Sequence, residues 1–426
     1  MHANLDRLLE ARANRSLPEV VRQARRRIAD ERRAVDGLLL GTESGNPRAI
    51  YGFNTLLGQL DRISAGPEAQ ARLLDAHLIG RSTWISGGLL DEMTLVKIMQ
   101  LSHGGSGISL ATFDALLASA FSGRDGSGAL WDSYGSGDVV PAAWWLVNVL
   151  GESAVHRFAP GDLIALLNGT FVSTAVAISA LEDLIELGAE LLARIASRSA
   201  HPVRDQRHPL VQALTTTDRS GSSLFVQAPV SARDSAPMID AVSRGIGELA
   251  CAIDRRLDRP SANPLFLWED GRLKAHSQSG FLDVTLSMAF ASSAVGLGFA
   301  ASALQRMIEH TAAQGLRVDP QRMELVQPPK IAQAVLQEVL RLSGTSTLVA
   351  IGESNGIEDL ADGSLAAGGD FVRMLKKVRE LLPLDDLVTP SDRRVGAVKV
   401  GEIAAVLGSV ARGRVRPTGH DELPEV

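Results

Sequence analysis

Two long uncharged segments constrain the fold of this chain more than any other feature. Residues 163–181 and 284–304 contain no Asp, Glu, Lys or Arg and are rich in Ala, Ser, Gly and Leu. Either is long enough to cross a bilayer, but small polar residues dilute both, and no basic loops flank them as anchors. We therefore expect two helices buried inside a helical bundle, with no membrane as a partner.

The composition favours long helices over sheets. Hydrophobic residues make up 45% of the chain and aromatic residues only 4%, so the core is expected to be aliphatic and rich in alanine. The net charge of −6 leaves no overall excess of positive charge, and we expect no nucleic-acid partner. The single cysteine, Cys251, excludes an internal disulfide and any cysteine-based metal cage, which suits a reducing cytoplasm.

The sequence indicates neither a targeting segment nor a metal site. The first residues lack the apolar core of a secretory signal, so we expect a cytoplasmic protein. The nine histidines show no His-x-x-x-His or comparable ligand spacing, so no metal is expected.

Apolar periodicity and helix-breaking residues predict an all-α protein with one minor β-hairpin. The expected helices span 17–38, 67–79, 91–102, 109–121, 141–151, 161–197, 238–257, 280–310, 330–342, 367–382 and 396–411. Residues 265–277 contain Asp270-Gly271 between two short β-prone runs, which predicts the hairpin. The polar stretch 201–229 has little periodicity and is expected to be an extended connection.

The chain contains no internal repeat and no convincing linker, which favours a single domain over residues 1–426. Within it we distinguish an N-terminal part of about 1–200, a central long-helix bundle of about 201–345, C-terminal helices of about 346–412 and a polar tail at 413–426.

The run Asp132-Ser133-Tyr134-Gly135-Ser136-Gly137-Asp138 could build an electrophile from its own backbone. The amide nitrogen of Gly137 can attack the carbonyl carbon of Gly135, and loss of water from Ser136 then leaves an exocyclic methylidene. Such a ring needs close approach between residues that flank a serine, and glycine on either side removes the Cβ clashes that normally forbid it.

Two other interpretations of this run remain open. Asp138, followed by Pro141 and an apolar stretch, is also typical of a loop that caps a helix. A serine hydrolase using Ser136 is a weaker alternative, because Tyr134 breaks the Gly-x-Ser-x-Gly elbow and no strand precedes it.

The chain has only two tyrosines, Tyr51 and Tyr134, and both lie in segments of interest. Tyr51 follows a turn-prone stretch and could place a phenol at the mouth of a site, where it would act as a base. The alternative is an ordinary half-buried tyrosine.

Seven short segments, taken in their order along the chain, resemble the motifs of one protein family. They are Tyr-Gly-Phe-Asn-Thr at 51–55, Leu-Leu-Asp-Ala-His-Leu-Ile-Gly at 73–80, Gly-Ser-Gly-Asp at 135–138, Asn-Gly-Thr at 168–170, Val-Gln-Ala-Pro-Val-Ser-Ala-Arg at 226–233, Ser-Ala-Asn-Pro-Leu at 261–265 and Gly-Ile-Glu-Asp at 356–359. This set resembles the motifs of the aromatic amino acid ammonia-lyases and aminomutases, which include histidine ammonia-lyase.

The resemblance implies a fold, a prosthetic group and an assembly. The fold would be the long-helix bundle of the ammonia-lyase, or fumarase/aspartase-like, type. Gly135, Ser136 and Gly137 would cyclise to a methylidene-imidazolone, with Asp138 beside it, and no metal or nucleotide would be needed. The protein would be a homotetramer whose active sites are built from several subunits, with an amino-acid-like small molecule as substrate.

The resemblance also implies roles for individual residues. Tyr51 would remove the β-proton, and Arg233 would hold the α-carboxylate. Asn168 and Gln227 would bond the ring and the carboxylate region, and Glu358 would lie near the amine or side chain of the substrate. The residue that would line the side-chain pocket is His77, which favours histidine or a related polar amino acid.

Four departures from the family pattern leave alternatives open. Gly135 stands where the family has alanine, and Tyr134 where it has glycine. Val230 replaces a second tyrosine that supports catalysis, and valine can neither transfer a proton nor donate a hydrogen bond. Gln278 falls about where a phenylalanine contacts the ring. The alternatives are an aminomutase, or a homologue whose uncyclised Gly-Ser-Gly serves another reaction or only binds a ligand.

Overall fold

The computed structural model describes residues 2–41, 48–66, 68–133, 135–199, 208–215, 229–344, 349–353, 358–391 and 394–417. Within these ranges the helices are α1 (Ala3–Asn14), α2 (Glu19–Leu40), α3 (Ala69–His77), α4 (Gly87–Ser102), α5 (Leu110–Ser119), α6 (Val139–Leu150), α7 (Asp162–Leu167), α8 (Phe171–Arg198), α9 (Pro209–Thr215), α10 (Val230–Arg233), α11 (Ala236–Leu257), α12 (Val284–Val318), α13 (Pro328–Ser343), α14 (Ser364–Arg379), α15 (Leu381–Val388) and α16 (Ala397–Ala411). The strands are β1 (Thr83–Ile85), β2 (Gly126–Gly128), β3 (Leu265–Glu269), β4 (Arg272–His276), β5 (Val349–Glu353) and β6 (Glu358–Ala361).

The central element of the bundle is α8, which packs against α4, α11, α12, α14 and α16. Its N-terminal half carries Ala, Ser, Thr and Val on every face, and small side chains let neighbouring helices approach on all sides. Two helical segments, Asp162–Arg198 and Val284–Val318, are long and apolar enough to cross a membrane. In the first, 94% of the apolar window is buried inside the fold, and in the second 61%, so packing against other helices accounts for most of their apolar surface.

The helices α11 and α12 lie close together along their contact. A Cβ added to Gly296 would lie 2.5 Å from the carbonyl oxygen of Ala241, and one added to Gly245 would lie 2.9 Å from the Cα of Ser293. Real Cβ atoms do not approach backbone that closely, so glycine at these two positions sets the distance between the helices.

Most predicted helices are confirmed to within a few residues, and so is the hairpin, in which β3 pairs with β4 around Asp270-Gly271. The single helix predicted at 161–197 is wrong, because the chain breaks between α7 and α8. Gly169 has φ +120° there, and a Cβ at this position would lie 2.4 Å from Ser261 Oγ. The break turns Asn168 out of the helix.

Three further points differ from the expected secondary structure or fall partly outside the described residues. The helix predicted at 280–310 starts later and ends later, as α12, because the Asp283 side chain caps it by accepting from the Leu286 amide at 3.2 Å. The stretch 201–229 contains a helix, α9, and most of it lies outside the described residues. The antiparallel pairs β1–β2 and β5–β6 were not predicted. The strands β1 and β2 are distant in sequence, and β5 and β6 show little alternation of apolar and polar residues.

Candidate active site

The Gly-Ser-Gly segment forms a buried turn between β2 and α6. Gly135, Gly137 and Asp138 have φ of +84°, +88° and +38°, all in the left-handed region that favours glycine. Ser136 between them is only 5% exposed. The segment is therefore a compressed turn inside the fold and not a surface loop.

A hydrogen-bonded clamp joins the two ends of this turn. The Ser133 hydroxyl accepts from the Gly135 amide at 3.1 Å and donates to Asp138 Oδ1 at 3.0 Å. Asp138 Oδ2 accepts from the amide of Ser173, at 3.2 Å, in the first turn of α8. Asp138 does precede α6, but its side chain makes no cap bond to that helix. Its carboxylate instead ties the turn to the N-terminus of another helix, where negative charge is favoured.

The corner between β6 and α14 closes on the other side of the turn. The main-chain amide of Asp362 donates to the carbonyl oxygen of Gly135 at 3.1 Å. A Cβ on Gly135 would lie 3.0 Å from the Cβ of Ala361. The Asp362 carboxylate accepts from the amides of Ser364, at 2.8 Å, and Asp283. Backbone from a distant part of the chain thus contacts this carbonyl, and Asp283 in turn holds the side chain of the residue that contacts it.

Buried charges behind the turn perturb one another. Burial raises the pKa of Asp138 to about 6, with the nearby charge of Asp362 adding to the rise, while bonds from Ser173 and Ser133 oppose it. Burial also raises the pKa of Asp362. Because two carboxyl groups share this region, the site retains a proton on one of them more readily than isolated carboxylates would.

Arg256 is a buried cation near these carboxyl groups. Its guanidinium donates to Thr170 Oγ1 and to the carbonyl oxygen of Gly280, and it lies 3.9 Å from Asp283 Oδ2. Burial lowers the pKa of Arg256, and the charges of Asp283 and Asp362 oppose that shift.

Asn168 and Phe281 face Gly137. A Cβ on Gly137 would lie 3.3 Å from Phe281 Cδ2 and 3.6 Å from Asn168 Oδ1. The Asn168 amide nitrogen donates to the carbonyl oxygen of Asn263 at 2.6 Å, which fixes the orientation of the side chain. The predicted site residue Asn168 therefore does lie at the turn.

Lys97 supports Asn168 from behind. Its Nζ donates to the main-chain carbonyl oxygen of Asn168 at 2.6 Å and lies 4.8 Å from the centroid of the Phe171 ring. Burial, with a smaller contribution from Arg256, lowers the pKa of Lys97 to about 7. A buried amine that is readily neutral can remain in the core at modest cost.

The Gln278 side chain, expected where a phenylalanine would contact the turn, bonds to residues outside the turn. Gln278 donates to the carbonyl oxygen of Ala262 and accepts from the Gly280 amide, so its side chain joins its own loop to the segment before β3. The aromatic ring against the turn belongs to Phe281, three residues further along.

Tyr51 belongs to a second, smaller hydrophobic cluster. It is half-buried against residues that include Val35, Phe53 and Ile164, the last of which lies in α7 and leads towards Asn168. The phenol oxygen accepts from the Gly58 amide at 3.0 Å.

His77 ends α3, and its Nδ1 lies 2.6 Å from the carbonyl oxygen of Leu73 in the same helix. The segment that follows His77 contacts the approach to the turn, because the Arg81 amide donates to Asp132 Oδ2.

For three of the remaining predicted residues, the structure gives the element that carries each one. Arg233 ends the short helix α10, which packs against α12, and Val230 at its start is 76% exposed. Glu358 begins β6, opposite Glu353, and this strand leads into the corner at Asp362. Gln227 lies outside the described residues, as does Tyr134. No group of three or more His, Cys, Asp or Glu in the described part of the chain is arranged to hold a metal.

Sequence reasoning missed several residues of the site: Ser133, Phe281, Asp362, Arg256 and Lys97. A signal existed for Lys97, the single charge in the otherwise uncharged run 93–101. Asp362 carries no such signal, because its part in the site is a main-chain contact with a residue more than two hundred positions away.

Comparison with known proteins identifies relatives of this chain. Residues 4–216 match the family model described as aromatic amino acid lyase. A histidine ammonia-lyase of Idiomarina loihiensis is 27% identical over an alignment that covers 52% of this chain and 53% of that protein. The chain thus spans about half the length of the curated relatives it matches.

Solved structures resemble the fold over nearly its whole length. The ergothioneine-degrading ergothionase of Treponema denticola superposes with a TM-score of 0.71 at 14% identity, covering 95% of this chain and 97% of that one. A tyrosine aminomutase of Streptomyces globisporus gives a TM-score of 0.71 at 15% identity, covering 96% and 95%. These likenesses confirm the predicted all-α long-helix bundle.

Proposed function

The chain belongs to the aromatic amino acid lyase family, and we propose that it eliminates ammonia from an α-amino acid by means of a methylidene-imidazolone formed from Gly135, Ser136 and Gly137. The observation that carries this proposal is the buried turn at these residues, in which both glycines have positive φ. Ring closure would join the nitrogen of Gly137 to the carbonyl carbon of Gly135 within this turn.

The residues around the turn fit such a group. Cβ atoms would have little room at either glycine, because Ala361 lies against Gly135 and Phe281 against Gly137. Asp138 and Asn168 would hold the ring, the first through its clamp with Ser133 and the second beside Gly137. When present, the group supplies an electrophile that takes up the substrate amine and makes it a leaving group.

The chain's own residues would bind the substrate and move its proton. Tyr51 would remove the β-proton, and the Gly58 N–H that donates to its phenol oxygen holds that oxygen in place. Arg233 would bind the α-carboxylate, since a planar guanidinium can donate two parallel hydrogen bonds. Gln227 would bond the same region, and Glu358 would face the amine or the side chain.

We propose histidine or a related polar amino acid as substrate. His77 would line the side-chain pocket, and the segment after it touches the approach to the turn. The relative from Idiomarina loihiensis is a histidine ammonia-lyase, which supports the same choice.

A second candidate keeps the fold and changes the chemistry. Val230 is an apolar, largely exposed side chain where the family has a tyrosine, so one proton-transferring group is missing. The second candidate is an aminomutase, or a protein whose Gly-Ser-Gly stays uncyclised and serves another reaction or only binds a ligand.

We further propose a cytoplasmic homotetramer. On α12, Met288, Val295 and Phe299 are each at least half exposed, and their spacing puts them on one face. A face of this kind would be covered by other subunits.

The proposal is tested by incubating the protein with single amino acids and measuring ammonia and the unsaturated acid. We expect release with histidine or a close analogue. Ser136→Ala should abolish it and Tyr51→Phe should slow it by about a hundred-fold or more, the usual contribution of a general base. Full activity in Ser136→Ala would refute the role of the ring.

A further inference from the structure

The corner at Ala361–Gly363 contacts the one carbonyl that ring closure would attack. The Asp362 amide donates to the oxygen of Gly135, and the Gly363 nitrogen lies 3.4 Å from where a Cβ of Gly135 would be. The inference drawn from this contact rests on the proposed function, because it concerns how the ring forms.

Ring closure places charge on this same oxygen. The lone pair of the Gly137 nitrogen attacks the Gly135 carbonyl carbon, a C–N bond forms, and the carbonyl π electrons move to oxygen. That oxygen leaves as water with the amide protons of Gly137 and Ser136, as a C=N bond forms to the Ser136 nitrogen. A second water takes the Ser136 hydroxyl and α-proton and leaves the methylidene.

We infer that the main-chain amide of Asp362 is the donor that stabilises the developing oxyanion of Gly135 during ring closure. Such donors act strongly when they are fixed in place before the reaction and shielded from water. Asp362 is 2% exposed, and its amide points at the oxygen before any bond has formed.

Side-chain and main-chain bonds hold the Asp362 amide in position. The Asp362 carboxylate accepts from the amides of Asp283 and Ser364, and its carbonyl oxygen accepts from the Ser287 hydroxyl. The corner is thereby anchored to the first turns of α12 and α14. The Ser133 hydroxyl cannot take this role, because it accepts a bond from the Gly135 nitrogen at the other end of the residue.

The test removes the N–H and leaves the rest of the residue in place. The full chain is made by cell-free synthesis with the α-hydroxy acid analogue of aspartate at position 362, which replaces the amide with an ester. Samples taken over time are analysed by intact mass for the loss of two waters, and by far-UV circular dichroism for folding. We expect the ester to slow ring closure by about a hundred-fold or more, as loss of one oxyanion donor does.

The matched control is the same ester analogue at Asp30 in α2, which removes one main-chain N–H outside the corner and the turn, and it should close within a few-fold of the native rate. Ser287→Ala is a second variant for the case that the ester chain does not fold. It frees the corner without touching the turn and should slow closure several-fold.

The outcomes separate this inference from the function it rests on. A native chain that never loses two waters overturns both. If the native chain closes and the folded ester chain closes at the same rate, the inference alone is overturned. If the ester chain does not fold, an unchanged rate in Ser287→Ala overturns it instead.

Discussion

At the scale of single residues, Asp138 shows how the site joins geometry to electrostatics. Its two carboxylate oxygens hold Ser133 and the start of α8, yet it is fully buried near a second carboxyl group. The aspartate was predictable from its motif, because it directly follows Gly-Ser-Gly. The partner at 362 was not, since only the folded chain brings the two carboxyl groups together.

The pKa of Asp138 leads to a prediction about stability. Its value of about 6 lies above the ordinary 3.8, so between these pH values the native state holds a proton that the unfolded state has lost. The contribution of this carboxyl to stability is therefore complete below about pH 4 and is lost as pH rises through about 6. At roughly 1.4 kcal/mol per pKa unit, the change amounts to a few kcal/mol.

Asp138→Asn should abolish this dependence while keeping most of the hydrogen bonds. Urea unfolding of both proteins at intervals from pH 4 to pH 7 measures the difference in their free energies of unfolding. We expect the native protein to lose stability relative to the variant as the pH rises. Two parallel curves would contradict the assignment of the shifted pKa.

At the scale of elements, packing decided what the sequence pattern could not. Periodicity located α13 and α16 to within two residues, because each has one apolar face. It missed the break between α7 and α8, where apolar residues run on either side. The break depends on Gly169, whose backbone lies against Ser261 from a distant segment, and such contacts leave no local pattern.

The α11–α12 contact gives a prediction with an internal control. Gly296→Ala would place a methyl group 2.5 Å from the Ala241 carbonyl oxygen, so the helices must move apart. We expect a loss of about 1–3 kcal/mol in the free energy of unfolding, typical of overpacking. Gly401→Ala in α16 has open space around it and should be neutral or stabilising by up to about 1 kcal/mol. Chemical denaturation of both variants tests this, and equal effects would contradict it.

At the scale of the whole molecule, α12 links the fold to the assembly. Its buried face packs on α8 and α11, while Met288, Val295 and Phe299 remain exposed on the other face of a single chain. The sequence predicted burial of the whole 284–304 run. A single chain buries only one face of this run. The apolar pattern of the sequence cannot tell burial within one chain from burial between subunits.

Val295→Arg should weaken the proposed tetramer, because a charge would enter an apolar contact. Sedimentation velocity should detect smaller species for this variant. Gln314→Arg, at an exposed position nearer the end of the same helix, should assemble as the native protein does. A native protein that sediments as a monomer would refute the proposed assembly.

The central claim is that the buried turn at Gly135-Ser136-Gly137 closes into a ring. The intact mass of the purified protein tests it most directly, with Ser136→Ala as the comparison. The account predicts a native mass lower by two waters than the sequence gives, and no such loss in the variant, which lacks the hydroxyl that leaves. A native mass equal to that of the unmodified sequence would contradict it.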